Sequence, residues 1–367
     1  MDFTAAFTSE IVSNIANNYD DNFDYYRFGN EVRTKISFIA RLHTKLRKWK
    51  NGCQPDIASI ESGIITFEPY YGYFNRLYYL LNDEASRQLL VKILAHRVLG
   101  YNKVKLPTNT SQFWDDISQM ENLADKSDCI PINFMNWSLC KFDLRKINLP
   151  IELYYRPTGV YYTFIKKQYE YNLHQMHIKA ERGDVVIDAG GCFGDTALFF
   201  AHEVGESGKV YSFEFVPSNL GILRKNVGLN QDLQPRIQIV PNPLWDESDK
   251  NIYFEDNGPG SKVSLESGDN FVGQVKTITI DDFVERNDIG KIDFIKMDIE
   301  GCEYNALRGA RKVLSAFKPK LAISLYHKPQ DFGEIPHFLD SLNLGYKFFL
   351  GHYTIHQEET VLFCIAG

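Results

Sequence analysis

The sequence predicts an α/β protein in which a parallel sheet follows a mainly helical N-terminal region. Three observations carry this. Val185 to Ala197 reads as a buried strand, a glycine turn and a helix start. A second strand, Lys209 to Phe215, is followed by a helix opened by Pro217 and a third strand from Arg236 to Val240. Alternation of strand and helix is the pattern of a parallel sheet with crossover helices. Upstream, apolar residues recur at spacings of three and four, as in amphipathic helices.

The helical reading covers residues 1 to 125. Its periodic positions include Leu77, Leu80, Leu81, Leu89, Leu90, Ile93, Leu94 and Leu99, with Gly100 as a stop. Phe67, Tyr70, Tyr71, Tyr73, Phe74, Tyr78 and Tyr79 make an aromatic cluster. Packing between helices explains it best, and stacking on sugars or filling an interface is the functional alternative. Arg41, Lys45, Arg47, Lys48 and Lys50 form a basic run, read as a solvated face before a membrane or glycan contact. The region carries no catalytic constellation, so self-association, as in a homodimer, or acceptor capture is its expected role. Residues 126 to 182 read as a Tyr-rich, partly β connector, and residues 183 to 367 as the catalytic unit.

The glycine turn selects among ligands. A dinucleotide site needs G-x-G-x-x-G, with bare backbone at the second glycine for the pyrophosphate. Here Cys192 holds that place, the spacing is Gly190-x-x-x-Gly194, and Asp188 precedes it. An acid there suits a cationic or hydrogen-bond-donating ligand, and S-adenosylmethionine has an ammonium, a sulfonium and no phosphate. Gly191 completes the turn, and Asp195 or Thr196 can cap the helix that follows. A purely structural turn is the plain alternative.

Glu214, near the end of the second strand, is placed to accept from two ribose hydroxyls, with Phe215 beside it. Pro243-Leu244-Trp245-Asp246 offers apolar walls for adenine and an acceptor for its amino group. A solvated acid and a loop packed by Trp245 are the bland readings of the two segments.

Lys291-Ile-Asp-Phe-Ile-Lys-Met-Asp-Ile-Glu-Gly-Cys-Glu303 resembles the hallmark segment of the FkbM family of S-adenosylmethionine-dependent methyltransferases. Thr279-Ile280-Asp281-Asp282-Phe283 is similar to that family's T-x-D-D-hydrophobic segment, and Leu321 to His327 leads into its Tyr-His-Lys. The resemblance implies a Rossmann-like class I methyltransferase sheet of about seven strands, mostly parallel with an antiparallel C-terminal hairpin. It also implies methyl transfer to an oxygen, commonly of a sugar, glycan or natural product.

The expected donor contacts are therefore Asp188, Gly190, Gly191, Gly194, Asp195, Thr196, Glu214, Phe215, Trp245, Asp246 and Asp298. Lys296, Asp298 and Glu300 alternate, so they share one side if the strand stays regular. Asp298, Glu300 and His327 are the expected catalytic set, with His327 as base because imidazole titrates near neutrality. The same three side chains are a sensible set for a divalent metal. A structural hydrogen bond is the plain reading of His327. The segment His352 to Thr360 lines an acceptor pocket or is simply a hairpin loop. An NAD-dependent oxidoreductase and an inactive nucleoside-binding scaffold are the alternatives in function.

The chain has 367 residues and a net charge of −7, which argues against a general nucleic-acid binder. No apolar run reaches the roughly 18 residues of a membrane span, and Met1-Asp2-Phe3-Thr4 does not open like a signal peptide. Six scattered cysteines without C-x-x-C suggest reduced thiols, no zinc site and a cytoplasmic protein.

Overall fold

A computed structural model describes residues 1–28, 57–173 and 176–367. The basic run Arg41 to Lys50 lies outside the described residues. Seven strands form the main sheet: β1 (Val185–Ala189), β2 (Lys209–Phe213), β3 (Ile237–Val240), β4 (Phe294–Met297), β5 (Lys320–Ser324), β6 (Tyr346–His352) and β7 (Thr360–Ala366). Their order is β6-β7-β5-β4-β1-β2-β3. β1 to β5 pair in parallel, and β7 runs antiparallel to both β5 and β6. This is the expected class I methyltransferase sheet with its C-terminal hairpin. All four residues of β4 are buried, as a strand covered on both faces requires.

The chain steps outward through β1, β2 and β3, then returns to place β4 on the other side of β1. Such a reversal leaves a crevice at the carboxyl ends of β1 and β4, where ligands of open α/β sheets bind. The register sets one row across it. Ser212 of β2, Asp188 of β1 and Lys296 of β4 are direct neighbours.

The segment Thr279 to Phe283 does structural work. The Thr279 hydroxyl accepts from the Asp282 amide at 2.9 Å and caps the helix Ile280–Arg286. Asp281 accepts from the amides of Lys312 and Val313 at the start of the helix Arg311–Phe317. Phe283 packs edge-on against Tyr211 and Phe213.

The N-terminal helices Phe3–Asn14, Ile57–Phe67, Tyr71–Leu80 and Glu84–Leu99 share one hydrophobic core with the sheet. Leu81 bridges to Phe348, Asn82 Oδ1 accepts from the Phe348 amide at 2.6 Å, and Ser86 Oγ accepts from Leu350 at 2.9 Å. The chain thereby covers the free edge of β6, which would otherwise present unpaired backbone groups. In the aromatic cluster Phe67 stacks on Phe74, and Phe74 meets Phe332 edge-on, so packing is its main role. Tyr79 is exposed.

Residues 125–155 form a three-stranded antiparallel sheet. Cys129 and Cys140 face each other across its first two strands and are joined by a disulfide. This corrects the expectation that all cysteines are reduced. Cross-strand register brought the two together, which spacing along the sequence does not reveal. Among the described residues no helix is long and apolar enough to cross a membrane.

Candidate active site

The crevice contains a cavity of about 230 Å³. Of the expected residues, Gly190, Asp195, Thr196, Glu214, Phe215, Trp245, Asp298 and Glu300 line it. Asp188, Gly191, Gly194, Asp246 and His327 do not.

Asp188 is fully buried beneath the turn. Its carboxylate accepts from Thr196 at 2.9 Å and Ser212 at 2.8 Å and lies 3.2 Å from Lys296 Nζ. Lys296 also donates to the carbonyls of Ala189 and Gly190, at 3.1 and 2.6 Å. Asp188 thus holds the turn in place, with its oxygens already occupied. Gly190 and Gly194 have φ of 83° and 87°, which only glycine adopts freely. A Cβ at Gly190 would fall on the Asp298 carbonyl, and one at Gly191 on the Ser212 hydroxyl. The helix Asp195–Val204 starts from Gly194 without a side-chain cap, contrary to the capping expected of Asp195 or Thr196. Those side chains point elsewhere, Thr196 to Asp188 and Asp195 to Thr163, whose hydroxyl donates at 2.6 Å.

Glu214 stands at the far end of the cavity. Its Oε1 accepts from the amides of Phe215 and Val216 at 2.6 and 2.7 Å, and its Oε2 from Asn219 Nδ2 at 3.1 Å. Burial pushes its pKa up to about 7 against those bonds. Asn219 Oδ1 lies buried with no protein partner among the described residues. An acid and an orphaned acceptor side by side match a ligand presenting two hydroxyls. Trp245 borders the same end, while Asp246 turns away to Arg308, 3.2 Å distant.

At the other end β4 stops at Met297, so the alternation expected to carry Glu300 on the strand fails. Glu300 sits in the following turn with φ of 56°, ahead of Gly301 at 88°. Asp298 accepts from the hydroxyls of Tyr169 at 2.8 Å and Tyr326 at 3.1 Å. His327 lies behind it. Its Nδ1 is 3.1 Å from Glu303, and its Nε2 is 3.5 Å from Asp298 and 3.7 Å from Glu300. Burial opposes charge on the ring, but Glu303, then Glu300 and Asp298, outweigh it and push the pKa up to about 12. The surrounding carboxylates thus favour the protonated ring, in the direction away from the neutral-range titration expected of His327.

Asp298, Glu303 and His327 approach one another closely enough to invite a metal. Both ring nitrogens of His327 are buried without a hydrogen-bond partner among the described residues, so the set keeps the donors that a divalent cation would need.

Sequence reasoning missed Glu303, Tyr162, Gln168, Tyr169 and Arg156. Glu303 was visible in the hallmark segment. The others come from the connector, which has no motif. Tyr162 and Thr163 lie on a π-turn, Tyr161–Ile165, closed by the Lys166 amide donating to the Tyr161 carbonyl. Such turns are frequent at functional sites. The Tyr162 hydroxyl and Gln168 Oε1 are buried without partners among the described residues, and both residues line the cavity. Glu359, from the loop between β6 and β7, also lines it. Burial, and then Asp298, push its pKa up to about 8.

Residues 188–348 match the family model described as the methyltransferase FkbM domain. No curated protein matches the chain. Similar solved structures include the methyltransferase FkbM from Methylobacillus flagellatus KT. It is 20% identical with a TM-score of 0.49, and the match covers 82% of this chain and 60% of that one. The chain thus spans less than two thirds of that structure's length. The O-methyltransferase from Bacillus cereus, solved with SAH, is 12% identical with a TM-score of 0.35, over 61% of this chain and 86% of that one. Fibrillarin of Aeropyrum pernix, with natively bound S-adenosyl-L-methionine, is 13% identical with a TM-score of 0.32, over 50% and 67%.

Proposed function

We propose, from the membership of residues 188–348 in the FkbM methyltransferase family, that this protein is an S-adenosylmethionine-dependent O-methyltransferase acting on a hydroxyl of a sugar, glycan or other small natural product. One observation carries the reading. The cavity at the switch point joins a hydroxyl-accepting end, Glu214 with Asn219 Oδ1, to an acidic end at Asp298, within that family's domain. The donor set therefore fits the nucleoside. Glu214 and Asn219 accept its ribose hydroxyls, Phe215 and Trp245 wall its base, and Gly190 and Asp298 border its amino-acid half.

When bound, the donor supplies a methyl group on a sulfonium. The chain's part is to align and to take up a proton. Alignment of two bound reactants can supply several kcal/mol. Tyr162 and Gln168, with their unpartnered polar atoms, orient the acceptor hydroxyl. Glu359 receives its proton, since a carboxylate held near the working pH is a better base than an imidazolium, and such a base contributes about a hundredfold or more. The Tyr326 hydroxyl spans Asp298 Oδ1 and Glu359 Oε1, at 3.1 and 3.3 Å, and fixes the two carboxylates relative to each other. His327 keeps Asp298 and Glu300 in place and is a positioning residue.

The Cys129–Cys140 bridge argues against the cytoplasmic setting that the scattered cysteines suggested, because cystines persist mainly in oxidising compartments. Self-association through the N-terminal helices remains part of the proposal.

Calorimetric titration of the full chain with S-adenosylhomocysteine and, separately, NAD tests the reading. Saturable heat with the first and none with the second is expected. A chain that binds NAD and not S-adenosylhomocysteine would overturn it.

A further inference from the structure

Arg156 lines the cavity and lies flat against Trp137, its guanidinium carbon 3.7 Å from the ring centroid. A guanidinium has five N–H donors. Among the described residues Arg156 uses one, to the carbonyl of Tyr26, and makes no ion pair. Arg27 leans on the same indole at 5.1 Å and is paired with Glu358 at 2.8 Å. Both arginines line the cavity, as do Tyr162 and Glu359. Asp24 attracts Arg156 but forms no ion pair with it, and its Oδ2 is 3.5 Å from His356. Burial, and then the like charge of Arg27, draw the Arg156 pKa down to about 10. A half-buried guanidinium with open donors facing the cavity, beside an arginine whose charge Glu358 already balances, is placed to receive an anion.

We propose that Arg156 is an anion-binding residue of the cavity, taking a carboxylate or phosphate oxygen of a bound ligand in the planar fork that Trp137 preorganises. This rests on the methyltransferase reading for the identity of the ligands. Two sources share the chemistry: the carboxylate of the donor's amino-acid half, and an acidic group on the acceptor. Trp137 lies inside the Cys129–Cys140 hairpin, so the bridge holds the platform on which the guanidinium rests.

The test uses the full chain and its Arg156→Gln and Arg156→Lys variants, titrated with S-adenosylhomocysteine, with 5′-methylthioadenosine, which lacks the carboxylate, and with inorganic phosphate after saturation with S-adenosylhomocysteine. If the donor's carboxylate is bound, Arg156→Gln weakens S-adenosylhomocysteine by roughly tenfold to a hundredfold and leaves methylthioadenosine unchanged. If an acceptor group is bound, both nucleosides bind as in the parent and the phosphate heat disappears. Arg156→Lys, which keeps the charge without the fork, should fall between parent and Gln in whichever arm responds. The proposal is overturned if Arg156→Gln, folded by circular dichroism, matches the parent for all three probes. A parent chain that binds phosphate, but neither nucleoside, would sink the methyltransferase reading and leave the arginine assignment to be decided by the phosphate arm alone.

Discussion

Glu303, Glu300 and Asp298 converge on one imidazole, and that count decides what His327 can do. Removing the ring would leave three carboxylates facing one another with Glu303 wholly buried. Loss of one partner of such a buried group costs about 3–5 kcal/mol. His327→Ala should therefore unfold at clearly lower urea, and adding Glu303→Gln to it should recover part of the loss. A His327→Ala protein as stable as its parent would restore the ring as a candidate for chemistry alone. Glu214 supplies a pH signature. Burial raises its pKa to about 7, so in the folded chain it binds a proton that the unfolded chain releases near 4.5. Its contribution to stability is present below about 4.5 and is lost as pH rises through about 7. Hydroxyl donors favour the ionised form, so S-adenosylhomocysteine binding at pH 7 should release protons. Calorimetry in buffers of different ionisation enthalpy reads that release, and Glu214→Gln should abolish it.

The segment Leu81 to Ser86 is small but closes the sheet. Asn82 accepts from Phe348 and Ser86 from Leu350, so Asn82→Ala leaves a strand amide without its partner. A loss of about 1–3 kcal/mol is expected, read as a lower urea midpoint with an unchanged slope. A midpoint within error of the parent would show that water or a neighbour replaces the amide. This element also shows where sequence reading ended. β1 was legible because a strand buried on both faces reads as an apolar run, β4 through the hallmark segment, and the turn because Gly190 and Gly194 need positive φ. Asp298 was legible through the hallmark segment. The pairing of Leu81 with Phe348 was not, because it joins segments far apart in the chain by backbone groups that every sequence has. The end of β4 at Met297 was hidden too, since Glu300 accepts a left-handed backbone that its residue type does not advertise. Tyr169 and Gln168 reach the cavity only through the fold, whereas Glu359 lies in the segment His352 to Thr360 that the sequence offered as pocket lining.

At the scale of the molecule, the N-terminal helices and the sheet share one hydrophobic core. Phe3, Leu77, Leu90 and Leu94 belong to the same buried cluster as Ile187, Ile295, Ile323 and Leu362. Separate folding of the helices would expose the apolar face that β6 and the helix Asp331–Ser341 cover. Their contacts include Phe74 against Phe332 and Gly333 against Tyr73, where a Cβ would strike the Tyr73 backbone. Calorimetric unfolding of the described fold should accordingly give one main transition rather than two. Ligand binding at the switch point then stabilises the whole. At a free S-adenosylhomocysteine concentration of about 100 times its Kd, mass action adds about 2.7 kcal/mol. The expected outcome is a single endotherm that moves upward intact. Gly333→Ala, which disturbs only the helix–helix contact, should lower that same endotherm and leave it responsive to ligand. Two resolved transitions, of which only one shifts with S-adenosylhomocysteine, would separate the helices from the sheet and return them to the role of an independent accessory unit.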